Sequence, residues 1–144
     1  MICNNMTTVE DTIKTLNELD VKSIKKFSLK GTQCKARVVS IYDGDTITLT
    51  FETFGTYYKW NCRLDGIDTP EMKSKNPEEK AKAVIARDFL RSKINDKIVD
   101  IKCGDFDKYG RLLIKVFYED VCMNDIMISE GHAKAYFGGT KDEW

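Results

Sequence analysis

The sequence predicts an α+β fold that is mainly β: a small barrel with helices added to it. The first observation is a run of three strand-like segments between residues 34 and 64, where apolar and polar side chains alternate. The second is a helical pattern that follows this run. The third is another pair of strand-like segments with a short helix after them. Five short antiparallel strands with an inserted helix fit a closed or nearly closed barrel of the OB type.

Length and composition support a single folded unit. The chain has 144 residues, of which 42% are hydrophobic and 32% charged, and this length can bury a core without disulfides or metals. No apolar run is long enough to span a membrane, and no secretory signal is visible at the start, so we expect an intracellular protein. Five cysteines without C-x-x-C spacing and a single histidine, His132, favour free thiols over a zinc site.

Residues 1–30 are predicted to form an N-terminal extension, partly helical, of a domain that covers residues 31–144. Thr7 or Thr8 can cap a short helix. Gly31 marks the entry to the main domain. The helix has a modest apolar stripe of Ile13, Leu16 and Leu19. We expect a monomer, and the extension is a candidate surface for a protein partner.

The first three strands follow from alternation and turn residues. The first runs from about Cys34 to Ile41, and Asp43-Gly44 after it is a tight-turn dipeptide. The second places threonines on one face and apolar residues on the other. In the third, Arg63 points away from the face that carries Trp60, because successive side chains in a strand alternate.

The remaining elements are marked by caps and breakers. Asn76 is a plausible N-cap with Pro77 at the first helical position, and the helix ends before Asn95. Strands of about 97–103 and 111–119 follow, and a last helix opens at Asn124 and ends by Gly131. The apolar residues at helical spacing in the first of these helices are Ala81, Val84, Ile85 and Phe89.

The segment Asp68-Thr69-Pro70-Glu71 sets two carboxylates three residues apart across a turn stiffened by proline. One interpretation is a loop with an Asx turn. The other gives the carboxylates different tasks: Asp68 holds a divalent cation, with the Thr69 backbone carbonyl as a further ligand, and Glu71 polarises or deprotonates a water molecule.

Three further residues have a similar choice of interpretations. Asp45 follows the Asp43-Gly44 turn and is either part of a hairpin or a hard oxygen ligand. Arg63 and Arg111 lie near strand ends, where single arginines usually form surface salt bridges. Beside a metal they would instead clamp a phosphoryl group, because the guanidinium fork matches phosphate oxygens.

The charge distribution is uneven although the formal net charge is zero. A global positive field that attracts nucleic acid is therefore absent. From Val21 to Tyr42 there is no acidic residue, and the segment is either a phosphate-binding strip or a solvated connector. Its cations are Lys22, Lys25, Lys26, Lys30, Lys35 and Arg37.

Three segments together resemble the active-site motifs of the staphylococcal-nuclease-like (thermonuclease) family. They are Asp43-Gly44-Asp45-Thr46, the run from Arg63 to Glu71, and Asp107-Lys108-Tyr109-Gly110-Arg111. Their order and the intervening helix also match, and the resemblance covers about Cys34 to Tyr136. Three motifs in the right order are far more specific than any one of them.

The resemblance implies an OB-fold, calcium-dependent phosphodiesterase that acts on DNA and RNA and leaves the phosphate on the 3′ side. It implies that Asp45, Asp68 and the Thr69 carbonyl bind Ca²⁺. It also implies that Glu71 acts as general base or orients the water, while Arg63 and Arg111 neutralise the phosphate in the transition state.

Four residues are weaker candidates for substrate contacts: Lys108 and Tyr109 beside Arg111, and Tyr136 and Phe137 in the tail, one of which can stack on a base. The alternative function is a non-catalytic OB module that binds nucleic acid or protein. Such modules in the family have usually lost active-site residues, and here Asp45, Arg63, Asp68, Glu71 and Arg111 are all present.

Overall fold

The computed structural model describes residues 8–144. Thr7 and Cys3 therefore lie outside the described residues. The strands are β1 (Gln33–Ile41), β2 (Thr46–Thr53), β3 (Thr56–Leu64), β4 (Ile67–Asp68), β5 (Ile98–Phe106), β6 (Leu112–Tyr118), β7 (Val121–Cys122) and β8 (Lys134–Ala135). The α-helices are α1 (Val9–Glu18), α2 (Pro77–Ile94) and α3 (Met123–Ser129), with a short 3₁₀ helix at Val21–Ser23.

Five of the strands form a closed barrel, as predicted. Their order is β3-β2-β1-β5-β6, and a further pairing of β3 with β6 closes the ring. That last pairing is parallel, with Arg63 opposite Leu113, so the expectation of purely antiparallel strands is wrong at one seam. The reason is topological: after the α2 crossover, β6 runs in the same direction as β3, and it must lie beside β3 to close the barrel.

The strand boundaries differ from the prediction mainly at β5. This strand runs to Phe106, three residues beyond the predicted end at Cys103, because it continues to pair with β6 past an irregularity in register between Cys103 and Phe106. The short strands β4 and β8 were not predicted. They pair Ile67 with Ala135 and Asp68 with Lys134, and this brings the C-terminal tail next to the Asp68 loop.

Helix α2 has the predicted caps but buries a different face. Asn76 accepts a hydrogen bond from the backbone N–H of Glu78, and the helix ends at Ile94. Its buried residues are Ala83, Ala86, Leu90 and Ile94, whereas Ile85 of the predicted stripe is 58% exposed. Two alanines on the inner face let the helix axis lie close to the barrel. A prediction based on the large apolar residues therefore selects the wrong face of the helix.

Within residues 8–30, the end of the N-terminal extension packs against the barrel. Thr8 caps α1 and forms a capping box with Asp11, but α1 buries none of its residues. Further along, the Phe27 ring packs against Phe54 and Phe106 at centroid distances of 6.0 and 6.2 Å, and Leu29 packs against the core. The domain boundary between residues 30 and 31 stays a prediction.

The cysteines in the described residues are free thiols, as expected. Burial raises the pKa of Cys62 to about 12 and that of Cys103 to about 11, so both are protonated and behave as small apolar core residues. Of residues 8–144, no helix is both long enough and apolar enough to cross a membrane.

Candidate functional site

Three predicted site residues meet at one corner of the barrel, around the Arg63 guanidinium. Asp45 precedes β2, Arg63 ends β3 and Asp68 lies in β4. Arg63 Nη2 lies 3.4 Å from Asp45 Oδ2 and 3.6 Å from Asp68 Oδ1. The β2–β3 register sets Thr46 opposite Arg63, which places Asp45 beside the arginine. All three side chains are buried, so the charges compensate one another with little help from water.

Asp45 is held by hydrogen bonds to both carboxylate oxygens. The Thr69 backbone N–H donates to Oδ2 at 3.1 Å, and the Thr46 hydroxyl donates to Oδ1 at 3.1 Å. Asp43 accepts a hydrogen bond from the Asp45 backbone N–H. Burial, together with the charge of Asp45, raises the pKa of Asp43 to about 7. Asp43 therefore supports the Asp45 loop, while Asp45 itself faces Arg63.

Gly44 lets this loop approach its neighbours closely. A Cβ atom at position 44 would lie 2.9 Å from Thr69 Cγ2 and 3.1 Å from both Ala86 Cβ and Met127 Cε. Real side chains do not come this close, so only glycine fits without movement of the Thr69 loop or of a helix. The glycine therefore fixes Asp45 against the loop that carries Asp68 and Thr69.

Asp68 presents an oxygen atom that lacks a hydrogen bond. Its Oδ1 is buried and has no partner in hydrogen-bond geometry, although the Lys141 ammonium lies 3.0 Å away and Arg63 3.6 Å away. A buried carboxylate oxygen of this kind is suited to a cation. Among residues 8–144, no three Asp, Glu, His or Cys side chains are grouped closely enough to hold a metal.

The donor set nevertheless fits a hard divalent cation. Asp45 and Asp68 supply two carboxylates that both approach the Arg63 guanidinium, and Thr69 lies next to Asp68, with its backbone N–H bonded to Asp45. Calcium and magnesium both take oxygen ligands and complete their coordination with water or phosphate oxygens. A cation at this corner would thus need backbone, solvent or substrate ligands in addition to the two carboxylates.

Glu71 lies at the edge of the cluster and is open to solvent. Its side chain is 59% exposed, and its Oε1 lies 3.6 Å from the Lys141 ammonium. The Glu71 backbone N–H donates to Glu79 Oε2 at 2.9 Å, so α2 fixes the loop. Glu71 lines a cavity of about 430 Å³ together with Asp68, Glu79 and Lys141. A water molecule can therefore reach the Glu71 carboxylate.

Arg111 is oriented by the turn between β5 and β6. Asp107 Oδ1 accepts hydrogen bonds from the backbone N–H groups of Tyr109 and Arg111, and Asp107 Oδ2 accepts one from Arg111 Nε at 2.8 Å. Partial burial raises the pKa of Asp107, but these hydrogen bonds and the Arg111 charge outweigh it, so its pKa lies below the ordinary value. Asp107 is ionised at neutral pH and anchors Arg111.

The parallel β3–β6 seam brings the two arginines to one cavity. Cys62 pairs with Leu112 and Arg63 with Leu113, so Arg111, one residue before Leu112, enters the same end of the barrel. A cavity of about 530 Å³ is lined by both arginines. The weaker candidates from the sequence lie in the same wall: Lys108, Tyr109, Tyr136 and Phe137.

The two aromatic residues of the tail are not equivalent. The Tyr136 ring lies under two cations, 5.7 Å from the Arg63 guanidinium carbon and 5.4 Å from Lys141 Nζ, and its hydroxyl donates to the Gly139 carbonyl. Phe137 is 89% exposed. Tyr136 therefore supports the cations, and Phe137 presents a free ring at the cavity.

Sequence reasoning missed Lys141 and Asn124. Lys141 sits in the tail after two glycines, and nothing in its spacing indicates a contact with Asp68. Asn124 was identified as a helix start and as part of the family resemblance, with no role for its side chain. Its buried side chain accepts from the Val116 backbone N–H and donates to the carbonyls of Asp65 and Ile114. It thereby ties α3 to the turn that follows Arg63.

The basic segment from Val21 to Tyr42 is partly neutralised. Lys30, Lys35 and Arg37 form ion pairs with Asp105, Asp100 and Asp96 respectively. This favours the solvated connector over a phosphate-binding strip for that half of the segment. His132 packs against the Phe89 ring at a centroid distance of 4.5 Å, away from the carboxylate cluster.

Comparison with known proteins gives one family and several relatives. A family model described as "Staphylococcal nuclease homologue" matches residues 61–143. A thermonuclease of Staphylococcus hyicus is 29% identical over 103 residues, which cover 70% of this chain and 59% of that protein. An uncharacterised endonuclease of Escherichia coli O157:H7 is 32% identical over 101 residues, covering 69% and 60%.

An uncharacterised protein of Bacillus anthracis is 31% identical over 118 residues, covering 79% of this chain and 53% of that protein. The chain thus spans somewhat more than half the length of the curated relatives it matches. The matched residues 61–143 include Arg63, Asp68, Glu71 and Arg111 but not Asp45.

Proposed function

Because the chain belongs to the staphylococcal nuclease homologue family, we propose that it is a metal-dependent endonuclease that hydrolyses phosphodiester bonds of DNA, RNA or both. The observation that carries the proposal is the convergence of two buried carboxylates, Asp45 and Asp68, on the buried Arg63, with Glu71 open to solvent beside them. This combination of cation ligands, phosphate-binding charge and a free base suits phosphoryl transfer.

In this proposal Asp45, Asp68 and the Thr69 carbonyl hold Ca²⁺, the cation implied by the family resemblance. The bound cation would neutralise negative charge on the phosphoryl oxygens. The support from this chain is the buried Oδ1 of Asp68, which accepts no hydrogen bond and is approached by cations, and the fixed orientation of Asp45.

Arg63 and Arg111 bind the non-bridging oxygens of the scissile phosphate. Both line the same cavity, and both guanidinium groups are held by carboxylates before substrate arrives. Guanidinium groups oriented in advance stabilise the charge that develops in the transition state without a cost of reorganisation at that moment. Arg63 would share its hydrogen bonds between Asp45, Asp68 and the phosphate.

Glu71 takes a proton from a water molecule as that water attacks phosphorus in line. The new bond joins the water oxygen to phosphorus, the bond from phosphorus to the 5′-oxygen breaks, and the departing 5′-oxygen takes a proton from solvent water. The products carry a 3′-phosphate and a 5′-hydroxyl. The exposure of Glu71 at the cavity beside Asp68 supports its access to water.

Phe137 is better placed than Tyr136 to stack on a nucleobase, because its ring is 89% exposed whereas the Tyr136 ring lies under two cations. Lys108 and Tyr109 flank Arg111 in the same wall and would contact the substrate backbone or the sugar.

The test is cleavage of labelled single-stranded DNA and RNA in calcium, magnesium or a chelator, with analysis of the product ends. The proposal predicts cation-dependent cleavage that leaves 3′-phosphates. The alternative, a non-catalytic OB module, predicts binding of the same probes without cleavage under any of these conditions.

A further inference from the structure

Lys141 places a positive charge between two carboxylates to which the proposed function gives other tasks. Its Nζ lies 3.0 Å from Asp68 Oδ1 and 3.6 Å from Glu71 Oε1. The Asp68 oxygen that it approaches is the one without a hydrogen bond. An ammonium group therefore pairs with the carboxylate oxygen that the proposed function assigns to the cation.

The tail that carries Lys141 is folded back over the site by its own contacts. The β4–β8 pairing sets Asp68 opposite Lys134. The Tyr136 hydroxyl donates to the Gly139 carbonyl at 2.8 Å, Lys134 Nζ donates to the Glu143 carbonyl, and Lys134 Nζ lies 4.5 Å from the centre of the Trp144 ring. We refer to residues 138–144 as the tail strap.

Lys141 also compensates for an excess of negative charge. Within residues 8–144, the ion pairs of Asp45, Asp68 and Glu71 are made by Arg63 and Lys141, so without Lys141 three carboxylates would face one paired cation. A lysine ammonium is charged at neutral pH, and two cations within a few ångströms of each other repel strongly in a partly buried site.

We propose that Lys141 is an internal counter-ion that competes with the divalent cation for Asp68, so that cation binding requires the tail strap to move away. The inference rests on the proposed function, because it assumes that Asp68 is a cation ligand. It goes beyond that function in assigning the C-terminal tail a role in the affinity of the site.

The test is calorimetric titration of calcium into the metal-free protein. Lys141→Met removes the charge and keeps most of the side-chain length, and Lys141→Arg keeps the charge. Lys59→Met, the control, removes an exposed lysine of β3 that forms no ion pair within residues 8–144. Lys141→Met should bind calcium about tenfold more tightly than the parent. Lys141→Arg and Lys59→Met should stay close to the parent.

Tryptophan emission gives a second readout that is independent of activity. Trp144 lies against Lys134 in the tail strap, so calcium should change the emission of the parent, and Trp144→Phe should abolish most of that change. Circular dichroism establishes that each variant is folded. If Lys141→Met unfolds, Lys141→Gln provides the same charge removal.

The outcomes separate this inference from the proposed function. Equal calcium affinities for the parent and folded Lys141→Met would overturn the inference and leave the cation site in place. Weaker binding by Lys141→Met would also overturn it, since Lys141 would then assist the cation. Absence of calcium binding in every variant would overturn the proposed cation site itself and the inference with it.

Discussion

Gly44 shows how one small residue sets the geometry of the carboxylate cluster. Its position leaves no room for a methyl group between Thr69, Ala86 and Met127. A larger residue would require the Thr69 side chain or its neighbours to shift, and we expect this to disturb the turn that holds Asp45 beside Arg63. The stability of the fold and the alignment of the site are therefore coupled at this position.

We expect Gly44→Ala to lower the free energy of unfolding by about 1–3 kcal/mol, the usual cost of overpacking. Urea unfolding monitored by circular dichroism measures this. Gly104→Ala is the matched control, because a Cβ there meets its nearest atom, the Leu113 carbonyl oxygen, at 3.4 Å. We expect it to cost less than about 1 kcal/mol. Equal effects of the two substitutions would argue against close packing around Gly44.

Arg111 is predicted to act through its charge and its fork geometry. Arg111→Ala should lower nuclease turnover at least about 100-fold, the typical effect of removing one electrostatic contact to the transition state. Arg111→Lys should recover only part of that loss, because an ammonium cannot bind two phosphate oxygens in the same planar way.

The control for the two Arg111 variants is Arg37→Ala, which removes an exposed arginine of β1 that forms an ion pair with Asp96. Its turnover should equal that of the parent. Parental turnover by Arg111→Ala would remove Arg111 from the mechanism.

At the residue scale, local sequence patterns indicated some residues of the candidate site but not others. Asp45, Arg63 and Asp68 belong to short motifs whose turns and strand ends are visible in local patterns. Their meeting at one corner was expected only from the family resemblance, because it depends on the β2–β3 register. Lys141 reaches Asp68 only because the β4–β8 pairing folds the tail back. A contact that depends on an irregular segment of this kind has no periodicity from which to predict it.

At the scale of secondary-structure elements, α1 and the segment after it differ in how closely they pack against the barrel. Helix α1 has good local caps but buries no residue, whereas Phe27 and Leu29 pack onto the barrel. The exposed apolar stripe of α1 leaves residues 1–30 as the proposed surface for a protein partner. The functional boundary of the domain is therefore expected before Phe27, not at Gly31.

Two truncations test this. Deletion of residues 1–23 should leave the free energy of unfolding and the nuclease turnover unchanged, because the removed part that the structure describes lies exposed. Deletion of residues 1–30 also removes Phe27 and Leu29, and it should destabilise the protein by about 2 kcal/mol or more. The urea midpoints of the two truncated proteins decide between a domain boundary before Phe27 and one at residue 31. Equal midpoints would support the boundary at residue 31.

Element prediction succeeded where local signals were strong. The caps of α2 and the alternation of β2 predicted the correct type of element and nearly the correct first and last residues. The buried face of α2 was wrong, because burial is decided by how closely the helix fits the barrel and the inner face carries alanines. The extension of β5 past Cys103 depends on its partner β6, which local patterns do not encode.

At the scale of the whole molecule, barrel closure makes the proposed chemistry possible. The β3–β6 seam joins strands that are far apart in sequence and sets Arg63 beside the start of β6, next to Arg111. A formal net charge of zero means that attraction of nucleic acid must come from this local cluster. We therefore expect the affinity for substrate to fall only modestly as salt is added, because few cations contact the phosphates.

Catalysis by Glu71 is tested by the single-turnover rate of single-stranded DNA cleavage, measured for the parent and for Glu71→Gln at saturating calcium. Glu52→Gln, at an exposed glutamate on β2, is the control for loss of one negative charge. We expect a rate at least about 100-fold lower for Glu71→Gln, the usual contribution of a general base, and an unchanged rate for the control. Cleavage by Glu71→Gln at the parental rate would contradict the proposed role of Glu71.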